Sequence, residues 1–290
     1  MPSTSTATVT VAYPGREGAH SAAAADELFG GGEELRALPS FQAVADAVAG
    51  SAVDFGVLPI ESSLSGPVAE THDLLYASPL SIVEEVVLPI RHCLLAPADI
   101  ALEEIRLVHS HPVALDQCRQ LLARMPNAQA VAAPTTADAA NAVAKKGDPT
   151  EAAIASERAA QLHGLHVVAA DVGDHPEAYT RFVAVATYTR LDRNGHAFRT
   201  AFSFVTDHTP GSLLRALEPF DRLGVNLVQL VSRPIPDSPW RYRFDAVLDG
   251  HPLDAAVGDA LSEVRSTARR LTVFGCYPAG ALSPTPLKNV

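Results

Sequence analysis

The chain has 290 residues, is 47% hydrophobic and carries a formal net charge of −11. That length supports more than one hydrophobic core, so two domains are expected. The acidity is dispersed and leaves no basic face for a nucleic acid, and no segment approaches the ~20 consecutive apolar residues of a membrane span.

In chain order, Met1 to Thr8 is polar and reads as a loose lead-in without an apolar signal core. Thr8–Tyr13 reads as a strand and Ser21–Phe29 as a helix that Ser21 can cap. Ser40 can cap a second helix running to Ala49, with Gly50 ending it. Phe55–Ile60 is a short buried strand. The long apolar run Leu80–Ala96 is expected to cross between two lobes, with a return near Ala170–Phe182. Strands are predicted at Leu107–His109, Ala128–Ala133, Ala152–Ala155 and His166–Ala170, separated by helices at Pro112–Arg124, Thr136–Lys146 and Glu157–His163. This alternation implies an α/β domain with largely parallel sheets.

Between Thr187 and Arg199 the chain turns polar, the expected linker. Beyond it the pattern restarts: strand Arg199–Thr206, helix Ser212–Leu223, strands Asn226–Arg233 and Trp240–Asp249, helix Pro252–Ser266 and strand Arg270–Phe274. Val257, Leu261 and Val264 form one helical stripe, as do Leu213, Leu217 and Phe220. The order βαββαβ is the ferredoxin-like split motif. The tail after Pro278 is Pro/Gly-rich.

Cys93, Cys118 and Cys276 are widely spaced and without a CxxC pair, so they read as small buried hydrophobes in a reducing, cytoplasmic setting. His109 and His111 flank Ser110 but no third ligand accompanies them, and no metal site is expected.

Four segments resemble the prephenate dehydratase family. They are Ala12-Tyr13-Pro14-Gly15-Arg16-Glu17-Gly18-Ala19-His20-Ser21, close to the family's YxGPEGTFS loop; Pro59-Ile60-Glu61-Ser62-Ser63-Leu64-Ser65-Gly66, close to PIENSxxG; Ser110-His111-Pro112 with Gln117-Cys118; and Thr180-Arg181-Phe182. Gly211-Ser212-Leu213-Leu214, Gly224-Val225-Asn226-Leu227 and Ser232-Arg233-Pro234 resemble segments of an ACT domain. The resemblance implies a two-lobed, periplasmic-binding-protein-like catalytic domain over 8–188, with lobe 1 at about 8–82 and 170–188 and lobe 2 at about 83–169. A ferredoxin-like ACT regulatory domain over 198–278 would follow. It implies a carbon–oxygen lyase that converts prephenate to phenylpyruvate without a cofactor, regulated by L-phenylalanine, as a homodimer or homotetramer.

By the same resemblance, Thr180 polarises the departing hydroxyl, with Ser110, Gln117 and Ser62 beside it, while Ser21, Glu61, Ser63 and Arg181 bind substrate. Thr180 and Arg181 point to opposite faces of a strand, so one alone can easily face a cleft. Arg181 therefore either pairs a substrate carboxylate or anchors Glu61 or another acid. Gly211, Ser212, Leu213, Asn226 and Leu227 are the implied effector residues. Ser62 departs from the family's asparagine, Val231 stands where a glutamate is usual, and Pro14 and His20 also differ. Those departures leave a prephenate decarboxylase, an arogenate dehydratase needing an acidic contact such as Glu61 or Glu70, and a non-catalytic sensor as alternatives. One difficulty precedes them all. An anionic substrate requires a locally positive site within a negatively charged protein.

Overall fold

The computed structural model describes residues 8–190, 197–236 and 238–280. Its elements are β1 (Thr10–Pro14), α1 (His20–Phe29), β2 (Glu34–Leu38), α2 (Phe41–Ala49), β3 (Phe55–Ser62), β4 (Gly66–Pro67), α3 (Ala69–Ala77), β5 (Ser81–Pro89), β6 (Cys93–Ala96), β7 (Leu107–Ser110), α4 (Pro112–Asp116), α5 (Arg119–Ala123), β8 (Gln129–Ala132), α6 (Thr136–Lys146), β9 (Glu151–Ala155), α7 (Glu157–His163), β10 (His166–Ala169), β11 (Tyr179–Ala186), β12 (Phe198–Val205), α8 (Ser212–Arg222), β13 (Leu227–Pro234), β14 (Tyr242–Asp249), α9 (Ala255–Thr267) and β15 (Arg270–Pro278). No helix among the described residues is long and apolar enough to cross a membrane.

Three sheets organise these elements. The first has the order β2-β1-β3-β11-β5 with β4 on β3, the second β10-β6-β9-β7-β8, and the third β13-β14-β12-β15. The expected parallel pairing holds for β1 with β2 and β3, and for β7 with β8 and β9. The strands that carry the chain between lobes must come back, so β11 runs antiparallel to β3 and β5, and β6 antiparallel to β9 and β10.

The chain crosses between lobes where the apolar run and its return predicted, but the first boundary moves. Strand β5 pairs with β11 along its whole length, so lobe 1 extends to Pro89 rather than ending near residue 82. The crossings are residues 90–92 and 170–178. They are hydrogen-bonded to each other, Ile90 N donating to Ala178 O and Val172 N to His92 O, both at 2.8 Å.

The predicted helix Pro112–Arg124 breaks after Asp116. The return crossing supplies the reason: Asp174 accepts from the amides of Arg119 and Gln120 at 2.9 and 3.0 Å, capping a new helix there. The edge strand β2 and helix α3 are additions to the sequence reading.

The C-terminal elements form the predicted βαββαβ unit, with the central order β14-β12 flanked by β13 and β15. Phe202, Phe204, Phe220, Val257, Leu261 and Val264 are buried in its core. Its other face packs on lobe 1, because Ala201, Val247, Phe274 and Tyr277 share one cluster with Ala12, Val44, Leu58 and Ile82. Gly275 adopts φ +152, and a Cβ there would lie 2.2 Å from the Ile82 carbonyl. Only glycine lets β15 ride this closely on β5. Residues 1–7, 191–196 and 281–290, which hold most of the lead-in, part of the linker and the tail, lie outside the described residues.

Candidate active site in the interlobe cleft

A cleft of about 650 Å³ opens between the first two sheets. Its walls come from strand ends and helix beginnings. Thr180, Ser62, Gln117 and Ser21 all line it, and the register explains the first pair: Thr180 sits directly across from Ser62 on β11 and β3. Cross-strand neighbours share a face, so the two hydroxyls face the cleft together.

The next residues face the other way. Arg181 lies opposite Glu61 and pairs with it at 3.1 Å behind the sheet. Of the two roles open to Arg181, the geometry selects the anchor within the scaffold. Glu61 and Arg181, expected to bind substrate, are therefore outside the cleft lining, for the alternation that puts Thr180 and Ser62 inside it.

Two further expectations are redirected. Ser110 is fully buried and donates to the Ile154 carbonyl at 2.6 Å, so its hydroxyl ties β7 to β9. Ser63 accepts from the Tyr179 amide at 2.9 Å and fixes the turn after β3 against the end of the return crossing. Ser62 itself accepts from the amides of Leu64 and Ser65 at 3.3 and 3.2 Å. Its oxygen is thus engaged in the turn, and its O–H remains as a donor.

The opening loop behaves as its glycines suggest. Gly18 adopts φ +88, where a Cβ would press on the Ala159 backbone of α7 at 3.3 Å, and its carbonyl accepts from Ser156 Oγ at 2.9 Å. Ion pairs Arg16–Asp138 and Arg158–Asp26 span the lobes alongside. Ser21, read as the helix cap, is instead inside the first turn: α1 begins at His20, and Ala19 precedes it without a capping side chain.

That detail bears on the charge problem. Among the described residues no Lys or Arg lines the cleft, yet the starts of α1, α2, α3, α4 and α6 all contribute to its wall. Ser40 and Thr135 cap α2 and α6 with their own side chains. α1 and α3 have no side-chain cap. Uncapped first-turn amides and the positive end of the helix dipole are seats for carboxylates.

Two histidines missing from the sequence-based site complete it. His92, in the first crossing, lies 2.9 Å through Nε2 from Gln117 Oε1. An amide oxygen can only accept, so Nε2 carries the ring proton and the Gln117 NH2 is left to donate. The His20 ring stands edge-on to that of His92, centroids 6.1 Å apart. Burial, and secondarily the neighbouring His92, pushes the His20 pKa down to about 4. Burial also lowers that of His92. Both rings are neutral near pH 7, and His20 Nε2 and His92 Nδ1 are buried without hydrogen-bond partners. The sequence signal for His92 was a polar residue inside the apolar run Leu80–Ala96.

Of the acids considered for an ammonium contact, Glu70 lines the cleft, in the first turn of α3, and Glu61 does not. In the C-terminal unit, Ser212 and Leu213 line a separate hollow of about 590 Å³ with the loop Thr206–Pro210 and Arg241. Gly211 immediately precedes α8 and Asn226 and Leu227 follow it, about 16 Å apart along an 11-residue helix. One protomer does not bring these effector candidates together, and Asn226 donates to Asp249 at 2.8 Å.

A sequence model of the prephenate dehydratase family matches residues 11–190. Arogenate dehydratase/prephenate dehydratase 2 of Arabidopsis thaliana, a chloroplastic protein, is 36% identical over 281 residues, covering 93% of this chain and 73% of that one. Among solved structures, a prephenate dehydratase from Arthrobacter aurescens in complex with L-Phe is 31% identical with a TM-score of 0.87, covering 96% of this chain and 92% of that one. A structure described as GqqA, a novel type of quorum-quenching acylase, is 31% identical with a TM-score of 0.85 and covers 95% and 98%.

Proposed function

The chain belongs to the prephenate dehydratase family, and from that membership we propose that its interlobe cleft converts prephenate to phenylpyruvate, carbon dioxide and water. The observation that carries this reading is the Thr180–Ser62 pair facing a cleft whose donors are neutral. Prephenate presents two carboxylates and a ring hydroxyl. When the bond to the ring carboxylate breaks, its electron pair enters the ring and carbon dioxide leaves. The ring expels the hydroxyl, which takes up one proton and departs as water. Aromatisation supplies the driving force, so the protein must position the diacid and stabilise charge on the leaving oxygen.

Thr180 Oγ is read as the hydrogen-bond donor to that oxygen. Its own acidity is too low for outright proton transfer, so it polarises and relays. Gln117, oriented by His92, and the Ser62 hydroxyl supply further donors. The open amides at the start of α1, with Ser21 beside them, are read as a carboxylate seat, whereas α3 already carries the Glu70 carboxylate in its first turn. The roles suggested for Ser110, Ser63, Glu61 and Arg181 become supporting ones. No step calls for a cofactor.

For the C-terminal unit we infer an ACT regulatory role with L-phenylalanine as effector, supported by the ligand named for the A. aurescens relative. The separation of Gly211 from Asn226 favours a site completed across a dimer interface. Three buried free thiols suit a reducing, cytoplasmic compartment.

The test is incubation with prephenate at neutral pH followed by phenylpyruvate absorbance in alkali. Product formation supports the dehydratase; prephenate loss without phenylpyruvate points to a decarboxylase; no change points to a sensor. A second substrate has its own support: Glu70 at the cleft can meet an ammonium group, as arogenate would require. Turnover of arogenate that falls selectively in Glu70→Gln supports that reading.

A further inference from the structure

Two acids and two arginines sit behind the catalytic strands, between lobe 1 and the C-terminal unit. Glu85 on β5 is fully shielded from solvent. It lies between Arg181 of β11, at 3.5 Å, and Arg199 of β12, and also accepts the Gly280 amide at 3.0 Å. Glu61 bonds Arg181 on one side and accepts from Gln229 Nε2 of β13 at 2.7 Å on the other. Arg199, Gln229 and Gly280 all belong to the C-terminal part of the chain.

The backs of the two residues that face the substrate are therefore held by another unit. Glu61 is the covalent neighbour of Ser62, and Arg181 that of Thr180. Both pairs lie in register on adjacent strands, next to the bulge between Arg181 and Phe182 where the ladder is most easily shifted. We propose that Gln229 is a positioning residue for the reaction: by holding Glu61, and through it Arg181, the C-terminal unit sets where the Ser62 and Thr180 hydroxyls stand in the cleft. Catalytic geometry is then completed by a unit that touches no substrate. Strand β13 begins at Leu227, beside the effector candidates, so the same contact would transmit a shift of that strand to the cleft.

This inference rests on the reading of Thr180 and Ser62 as reacting-site groups, and the wild-type assay separates the two: absence of phenylpyruvate from wild type sinks that reading, whereas the inference fails on the variants alone. In the full-length chain, Gln229→Glu sets a like charge against Glu61, and Gln229→Lys keeps a donor there. Q229E should lower kcat at least about tenfold, since a misplacement on the order of 1 Å can cost ~100-fold. Its KM should change less than about threefold, at a temperature where circular dichroism shows it fully folded, and Q229K should hold kcat within about threefold of wild type. Wild-type kcat in Q229E, an equal loss in Q229K, or a loss that tracks the unfolded fraction overturns the assignment. Should Q229E not fold, Gln229→Leu carries the test, with a kcat loss of about threefold or more expected and an unchanged kcat overturning it.

Discussion

Replacing His20 with phenylalanine, the residue the family loop places there, should remove an acid-labile element from the native state. The structure gives the sign. Burial holds His20 near a pKa of about 4, whereas an unfolded histidine titrates near 6.5. As pH falls through 6.5 toward 4 the unfolded chain takes up a proton that the native site refuses. The depressed value thus contributes stability that is present above pH 6.5 and lost below it. The loss amounts to about 2 kcal/mol by pH 5 and to about 3 kcal/mol below pH 4. His92, whose pKa burial also lowers, adds to the acid sensitivity of both proteins. At pH 7 the two should be nearly equal, since the larger phenyl ring would stand at the cleft wall, where there is room, and an unpartnered buried nitrogen is removed. Urea unfolding at pH 7 and pH 5 reads the difference: His20→Phe should exceed wild type by about 2 kcal/mol at pH 5 alone. Equal losses in both proteins between those pH values would refute the reasoning.

Thr180→Ala should reduce kcat by ~100-fold or more while its urea midpoint stays at the wild-type value; turnover close to wild type removes Thr180 from the mechanism. Ser110→Ala should act on stability, costing about 1–3 kcal/mol because the Ile154 carbonyl loses its buried donor. A kcat loss without that destabilisation would return Ser110 to the substrate. L-phenylalanine in excess should raise the melting temperature, by the equivalent of about 2.7 kcal/mol at a concentration 100 times Kd, and no shift at saturating concentration argues against an effector site.

What sequence reading caught was local in its causes. Helix α6 spans Thr136–Lys146, as its pattern predicts, and its causes lie next to it: Thr135 caps it and Gly147 ends it in the left-handed region. α2 likewise begins after Ser40 and ends at Gly50. What it missed depends on distant partners. The break between α4 and α5 is made by Asp174, more than fifty residues away, and no local pattern within Pro112–Arg124 announces it. Strand β2 is an edge strand with mostly exposed side chains, so it lacks the apolar alternation by which strands are recognised. In the site, the motifs located the right segments but not which face each residue presents. Thr180 and Arg181 are adjacent in one motif and lie on opposite sides of a sheet. The sequence does carry one signal for the missing residues: Glu84, Glu85 and His92 interrupt the apolar run Leu80–Ala96, and ionisable residues within a buried strand need partners. Those of Glu85 are Arg181 and Arg199, which join two parts of the chain.

The distribution of charge around β3 and β11 resolves the conflict between an acidic protein and an anionic ligand. On the cleft side stand hydroxyls, an amide, the neutral imidazoles of His20 and His92, helix beginnings and one carboxylate, Glu70; on the far side stand the guanidinium groups of Arg181 and Arg199 with Glu61 and Glu85. A helix terminus offers its partial positive charge in a fixed direction and over about one turn. It can therefore seat a carboxylate whatever the net charge of the surface beyond it. Behind the sheet, pairing is permanent, and Glu85 shows its limit: burial raises its pKa even with two guanidinium groups nearby, so removal of either arginine would raise it further. The ionic layer thus joins the two units, and the groups proposed to bind and react stand on the opposite face of the same strands.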